Sequence, residues 1–106
     1  MVVDVSSELR VEVLKALAEP ARWRILERLA VEELCVCHLV EDLDIPQPLV
    51  SHHLKVLREA GIVESERFRQ WTYYRVLPEA VFAAADDLNQ IARGTKRAAA
   101  RRRPCC

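Results

Sequence analysis

Four cysteines stand in two close pairs, Cys35 with Cys37 and Cys105 with Cys106. A thiolate is a soft ligand, so pairs of this kind suit thiophilic ions better than magnesium or calcium. In a regular helix, residues two apart point roughly 200° away from each other, too far to share one ion. A C-x-C pair therefore needs a helix start, where the backbone is less constrained. A helix N-terminus also favours the thiolate, the form that binds soft ions. The other chemistry that cysteines support is poorly represented. There is no C-x-x-C redox pair, no nucleophile with an evident base, and no glycine-rich phosphate cradle in a chain with two glycines. The sequence thus reads as a binding protein and not as an enzyme.

The elements that must hold Cys35 and Cys37 follow from periodicity. Ser7 to Ala18 reads as a helix with Val13, Leu14 and Leu17 on one face. Pro20 opens a second helix that runs to about Val31. Val36, Leu39, Val40 and Leu43 have i, i+3, i+4, i+7 spacing, so a short third helix begins at the cysteines. Asp44-Ile45-Pro46 breaks it. A fourth helix starts at Gln47 or Pro48 and ends before Gly61. Ile62–Arg67 and Trp71–Val76 are rich in β-branched and aromatic residues and predict a two-stranded hairpin, separated by Phe68-Arg69-Gln70. Pro78 opens a last helix, and Gly94 is expected to end it. Residues 1–94 form one domain on this reading, and 95–106 a flexible basic tail that ends in the second cysteine pair.

Two short helices joined by a tight turn and followed by a hairpin give the order of a winged helix-turn-helix, a mainly α fold with a small β-hairpin (α+β). With Val50, Leu54 and Leu57 turned inward, the fourth helix presents Pro48, Ser51, His52 and Lys55 outward, with Gln47 on the flank. These are residue types that meet base edges and phosphates in a DNA major groove. His53 falls nearer the core edge, which leaves both a DNA contact and a hydrogen-bonded structural role open. Arg67, Arg69 and Gln70 at the hairpin tip are placed to touch the minor groove or the backbone. The partner expected is double-stranded DNA. The formal net charge of zero does not announce it, but the charge is uneven, acidic in the first half and free of acids from Arg93 to Arg103.

The segments LAEPARWRILERLA, ELCVCHLVEDLDIPQPLVSHHLKVLREAGIVE and RQWTYYRVLPEA make Leu17–Leu77 resemble the arsenic-responsive ArsR family of bacterial repressors. The resemblance implies a homodimer joined through the first and last helices. It also implies an imperfectly palindromic operator, and release from DNA when As(III) or Sb(III) binds cysteine thiolates; no organic cofactor is expected. The family's best-known motif is C-V-C-D-L-C. Here the aspartate position is His38, read as a surface residue, and the third cysteine position is Val40. Three schemes follow. Cys35 and Cys37 bind with a tail cysteine; or Cys105 and Cys106 bind with one helix cysteine; or Cys35 and Cys37 bind alone. A tail of twelve residues reaches up to ~40 Å if extended. A second departure is the wing turn, Arg69-Gln70 where members often carry glycine, so a non-glycine residue is expected at positive φ.

Cadmium, lead or an oxidant acting on the same thiols are the alternatives to arsenic within this fold. A zinc site on the last helix is disfavoured, because that helix has Asp86 and Asp87 but no histidine. The first residues lack a secretory leader's pattern, and no apolar run approaches the ~20 residues of a membrane span. A cytoplasmic protein with reduced thiols is expected.

Overall fold

A computed structural model describes residues 5–97, with side chains described over 10–95. Five helices and three short strands follow one another as α1 (Val5–Leu17), α2 (Pro20–Leu29), β1 (Leu34–Cys35), α3 (Val36–Leu43), α4 (Gln47–Glu59), β2 (Val63–Phe68), β3 (Trp71–Val76) and α5 (Pro78–Arg97). The expected winged helix-turn-helix architecture is therefore present, and apart from β1 and the end of α5 the boundaries lie within about two residues of those read from the sequence.

Local chemistry explains the boundaries. Glu19 caps α2, its Oε2 accepting from the Arg22 backbone N–H at 3.1 Å, and Pro20 occupies the first turn, where no amide partner is missed. α3 stops at Asp44, which adopts the left-handed conformation (φ 54°, ψ 47°) and donates its N–H to the Val40 carbonyl at 3.0 Å. Aspartate tolerates this region better than most residues, which suits it to the tight turn into α4. α4 is closed off just past its Ala60 C-cap by Gly61, where φ is 79°. The Gly61 and Ile62 amides donate to the carbonyls of Arg58 and Leu57, both at 3.0 Å, a Schellman closure that turns the chain into the wing.

One core ties these elements together. Ile25, Leu39, Val50, Leu54, Leu57 and Ile62 have no exposed surface. They come from α2, α3, α4 and the entry to the wing, so the two helices of the helix-turn-helix are fixed to each other through a common apolar layer. Arg22 locks the α1–α2 corner by donating from Nε to the Ala16 carbonyl at 2.6 Å.

Two features depart from the sequence reading. The wing is a three-stranded antiparallel sheet of order β1-β3-β2 and not a lone hairpin. β1 has only two residues, too few to show an alternating pattern, and pairs Leu34 with Tyr74 and Cys35 with Tyr73. Gly94 does not end the last helix, which continues to Arg97. Its φ is not positive, so it never adopts the left-handed cap that makes glycine a stop. Thr95 just beyond it is still helical, its Oγ1 donating back to the Ile91 carbonyl at 3.0 Å.

α5 lies along α1, and Arg10 Nε meets Asp87 Oδ2 at 2.8 Å between them. The apolar stripe of α5 is only partly used in this packing. Ala84 is buried, whereas Leu88 and Ile91 remain exposed beside Val11 of α1. Together with Arg10, Leu14, Asp87 and Gln90 they line a shallow groove.

Candidate nucleic-acid interface and thiol centre

α4 is amphipathic in the sense its sequence demands. Val50, Leu54 and Leu57 are fully buried, and Gln47, Pro48, Ser51, His52 and Lys55 are all exposed. Leu49 is also outward and half exposed, an apolar surface of the kind that contacts thymine methyl groups. Pro46 is the N-cap of α4, and its carbonyl accepts from the Leu49 and Val50 amides. With Pro48 carrying no N–H and the Leu49 and Val50 amides taken by Pro46, the Gln47 amide is the one left unused in the first turn of α4.

His53 sits elsewhere. It is half-buried against the α1–α2 corner, with Arg22 Nη1 3.2 Å from its Nδ1 and Glu19 Oε2 3.8 Å from its Nε2. A guanidinium only donates, so Nδ1 must accept and the ring is neutral with its proton on Nε2, towards the carboxylate. Of the two roles open to it, the geometry shows the structural one. Burial pushes the His53 pKa below its ordinary value of 6.5; Glu19 opposes this, and Arg22 and His52 add to it. The unfolded chain then takes up a proton before the folded one as pH falls. Stability from this group is complete above 6.5 and declines as pH drops from there towards the folded pKa. Urea midpoints are expected to fall between pH 7.5 and 5.5 in the parent, and to fall less in His53→Gln.

The wing carries its cations unequally. Arg75 is held by carboxylates, with Nη2 2.5 Å and Nε 2.6 Å from Glu64 Oε1 and Nη1 3.2 Å from Glu66 Oε1. Arg67 and Arg69 are exposed at the tip, and Arg67 Nε donates to the Arg69 carbonyl at 3.3 Å. The turn itself is Arg69-Gln70, and Arg69 has φ of 60°, as the missing glycine led us to expect. The guanidinium carbon of Arg69 lies 5.3 Å from the centre of the Phe68 ring.

The thiol centre lies where α3 meets the wing. Cys35 is the N-cap of α3 with extended backbone (φ −94°, ψ 171°), so it does not belong to the regular helix and the 200° argument does not bind it. Its side chain is buried, whereas that of Cys37 is exposed. His38 is exposed, as read from the sequence, and it also contacts Cys35. Its Nδ1 accepts from the Cys35 backbone N–H at 3.2 Å and lies 3.4 Å from Cys35 Sγ. The reciprocal contact resembles a capping box, but Cys and His stand where Ser or Thr and Glu or Gln usually do, so no ordinary sequence cue marks it. Cys105 and Cys106 lie outside the described residues. Among the described residues, no three His, Cys, Asp or Glu side chains are gathered closely enough to hold a metal ion. Cys35 and Cys37 thus flank the start of α3, one buried and one open to solvent.

Fold and side-chain placement together define a winged helix-turn-helix protein with two cysteines at the start of the helix that precedes α4. Residues 19–65 match the family described as bacterial regulatory protein, arsR family. An uncharacterized HTH-type transcriptional regulator of Methanocaldococcus jannaschii is 39% identical over 75 residues, which cover 70% of this chain and 84% of that protein. An arsenic resistance transcriptional regulator of Pseudomonas putida is 50% identical over 68 residues, covering 63% of this chain. The match spans about half of that relative's length, 53%. An ArsR-like transcriptional regulator from Rhodococcus sp. RHA1 superposes with a TM-score of 0.78 at 28% identity, over 90% of this chain and 89% of that one. The chain belongs to the ArsR family. This is a family of transcriptional regulators, not of enzymes.

Proposed function

We propose that this chain is a metalloid-responsive repressor. It binds operator DNA as a homodimer and leaves it when As(III) or Sb(III) is captured by cysteine thiolates. The observation that carries the reading is the pairing of Cys35, the N-cap of α3, with exposed Cys37 on the helix that leads directly into α4. Each arsenic–sulfur bond replaces a hydroxide of arsenous acid, which leaves as water with the thiol proton. Cys105 or Cys106 would supply a third sulfur, the donor that Val40 does not. The name of the Pseudomonas putida relative supports the same ligand class.

Gln47, Pro48, Ser51, His52 and Lys55 would read the major groove, and Arg67, Arg69 and Gln70 the minor groove or backbone. His53 would act behind this face by steadying α4. The exposed groove of Val11, Leu88 and Ile91 is the surface a second copy would cover, in keeping with dimerisation through α1 and α5. No helix of the described residues is long and apolar enough to cross a membrane, which accords with action on DNA in the cytoplasm. Cadmium is the second reading, because the Sγ–Nδ1 contact of Cys35 and His38 offers one sulfur and one imidazole donor side by side.

The test is binding of reduced protein to duplex DNA from upstream of its gene, at a fixed salt concentration, beside equilibrium dialysis against arsenite. Preference over a scrambled duplex of about 10³-fold or more is expected, together with saturable arsenite uptake. Equal affinity for both duplexes would contradict the repressor reading. Uptake of cadmium but not arsenite would move the assignment to the second ion.

A further inference from the structure

The thiol centre is fastened to the wing as well as to α3. Cys35 is at once the N-cap of α3 and half of β1, and its partner across the sheet is Tyr73 of β3. From Cys35 Sγ a series of contacts runs outward along the wing. His38 Nδ1 is 3.4 Å from Sγ. The His38 and Tyr73 rings lie 6.3 Å apart at 52°. The Tyr73 and Phe68 rings lie 6.4 Å apart at 69°, an edge-on pair. The Arg69 guanidinium then covers Phe68 at the tip. No step passes through α4.

We propose that capture of an ion at Cys35 is transmitted to DNA through the wing, with His38 and Tyr73 as positioning residues and Arg69 as the group displaced; the proposal rests on the thiol-centre reading above. The reason is the relative stiffness of the two routes. α3 and α4 share fully buried Leu39, Val50, Leu54 and Leu57, so moving one helix against the other must open a close-packed core. β1 is joined to β3 by two residue pairs only, and the wing tip is exposed on both strands. Such elements open at low free energy. A sulfur bonded to an ion no longer donates to His38 Nδ1, and drawing Cys35 towards Cys37 pulls on the strand pairing to Tyr73. The two arrangements are β1 paired with the ring series intact, and β1 shifted with Tyr73, Phe68 and Arg69 displaced.

The chain itself contains the reporter. Its two tryptophans are Trp23 and Trp71, and Trp71 is the cross-strand partner of Phe68. Trp23→Phe leaves the wing residue as the single emitter. Arsenite added without DNA is expected to change Trp71 emission, saturating at the concentration at which dialysis shows uptake. In the Tyr73→Val and Phe68→Ser variants that change is expected to vanish while uptake persists. The ratio of operator Kd with and without arsenite is expected to be about tenfold or more in the parent and under about threefold in either variant. Because each ratio is taken within one variant, any change in basal affinity cancels. Phe68 is exposed, so Phe68→Ser decides the matter if Tyr73→Val fails to fold. Uptake without a change in Trp71, or release by both variants as complete as in the parent, overturns the wing route and leaves the repressor reading standing. No uptake by the parent overturns the thiol-centre reading and this route with it.

Discussion

Replacing Cys37 with serine is expected to leave operator binding intact and to abolish release by arsenite. Cys37 is exposed at the first turn of α3, so its sulfur packs against little and Ser is nearly isosteric. Folding and the DNA-reading face should be unchanged. The loss falls on the ion alone, because serine oxygen does not replace a thiolate towards a soft acceptor. Where arsenite raises the parent's operator Kd by about tenfold or more, the variant's should move by less than about twofold. Cys35→Ser is a poorer choice. Cys35 is buried, caps α3 and sits in β1, so its variant mixes lost ligation with a disturbed strand and cap. Parallel titrations of the two operator complexes measure the difference.

Leu54→Ala is expected to have the largest effect on stability, about 2–5 kcal/mol. Leu54 is fully buried at the centre of α4, within the layer that joins it to α3 and α2. A loss of that size is a large fraction of the 5–15 kcal/mol typical of a whole domain. DNA binding should fall with the folded fraction. Leu49→Ala on the same helix is the control. Leu49 is half exposed, and its replacement should change stability by less than about 0.5 kcal/mol. Urea unfolding at one chain concentration separates the two, and the concentration must be fixed because dimerisation adds to apparent stability.

Much of this was legible in the sequence because it depends on local rules. The inward stripe of Val50, Leu54 and Leu57 follows from a period of 3.6, and the structure buries all three completely. The Asp44-Ile45-Pro46 break and the Gly61 stop follow from backbone chemistry. Arg69 at positive φ follows from the two-residue hairpin turn, which requires that conformation and here has no glycine to take it. What was not legible depends on residues far apart in the chain. β1 exists because Leu34 and Cys35 meet Tyr74 and Tyr73, and two residues carry no period of their own. His53 turns from the exposed face because Glu19 and Arg22, more than thirty positions earlier, hold its two nitrogens. Gly94 misleads for the opposite reason. A glycine stops a helix only when the chain turns left-handed there, and the helix-forming residues around it carry the helix to Arg97.

His38 shows how the two kinds of information combine. Its position three residues beyond Cys35 is a local fact, but its meaning depends on Tyr73, which the sheet brings beside it. The residue at the family's aspartate position thus becomes the link between a thiol and a strand of the wing. On the proposed reading, ion capture and DNA contact would share one small sheet.

An ion bound by thiolates is expected to remove this protein from DNA. The most direct measurement is fluorescence anisotropy of a labelled upstream duplex, saturated with reduced protein at a fixed salt concentration and then titrated with arsenite. Anisotropy falling to the value of free DNA at micromolar arsenite, with no fall in Cys37→Ser, is the predicted result. A complex that stays intact while dialysis shows the protein loaded with arsenite would contradict it.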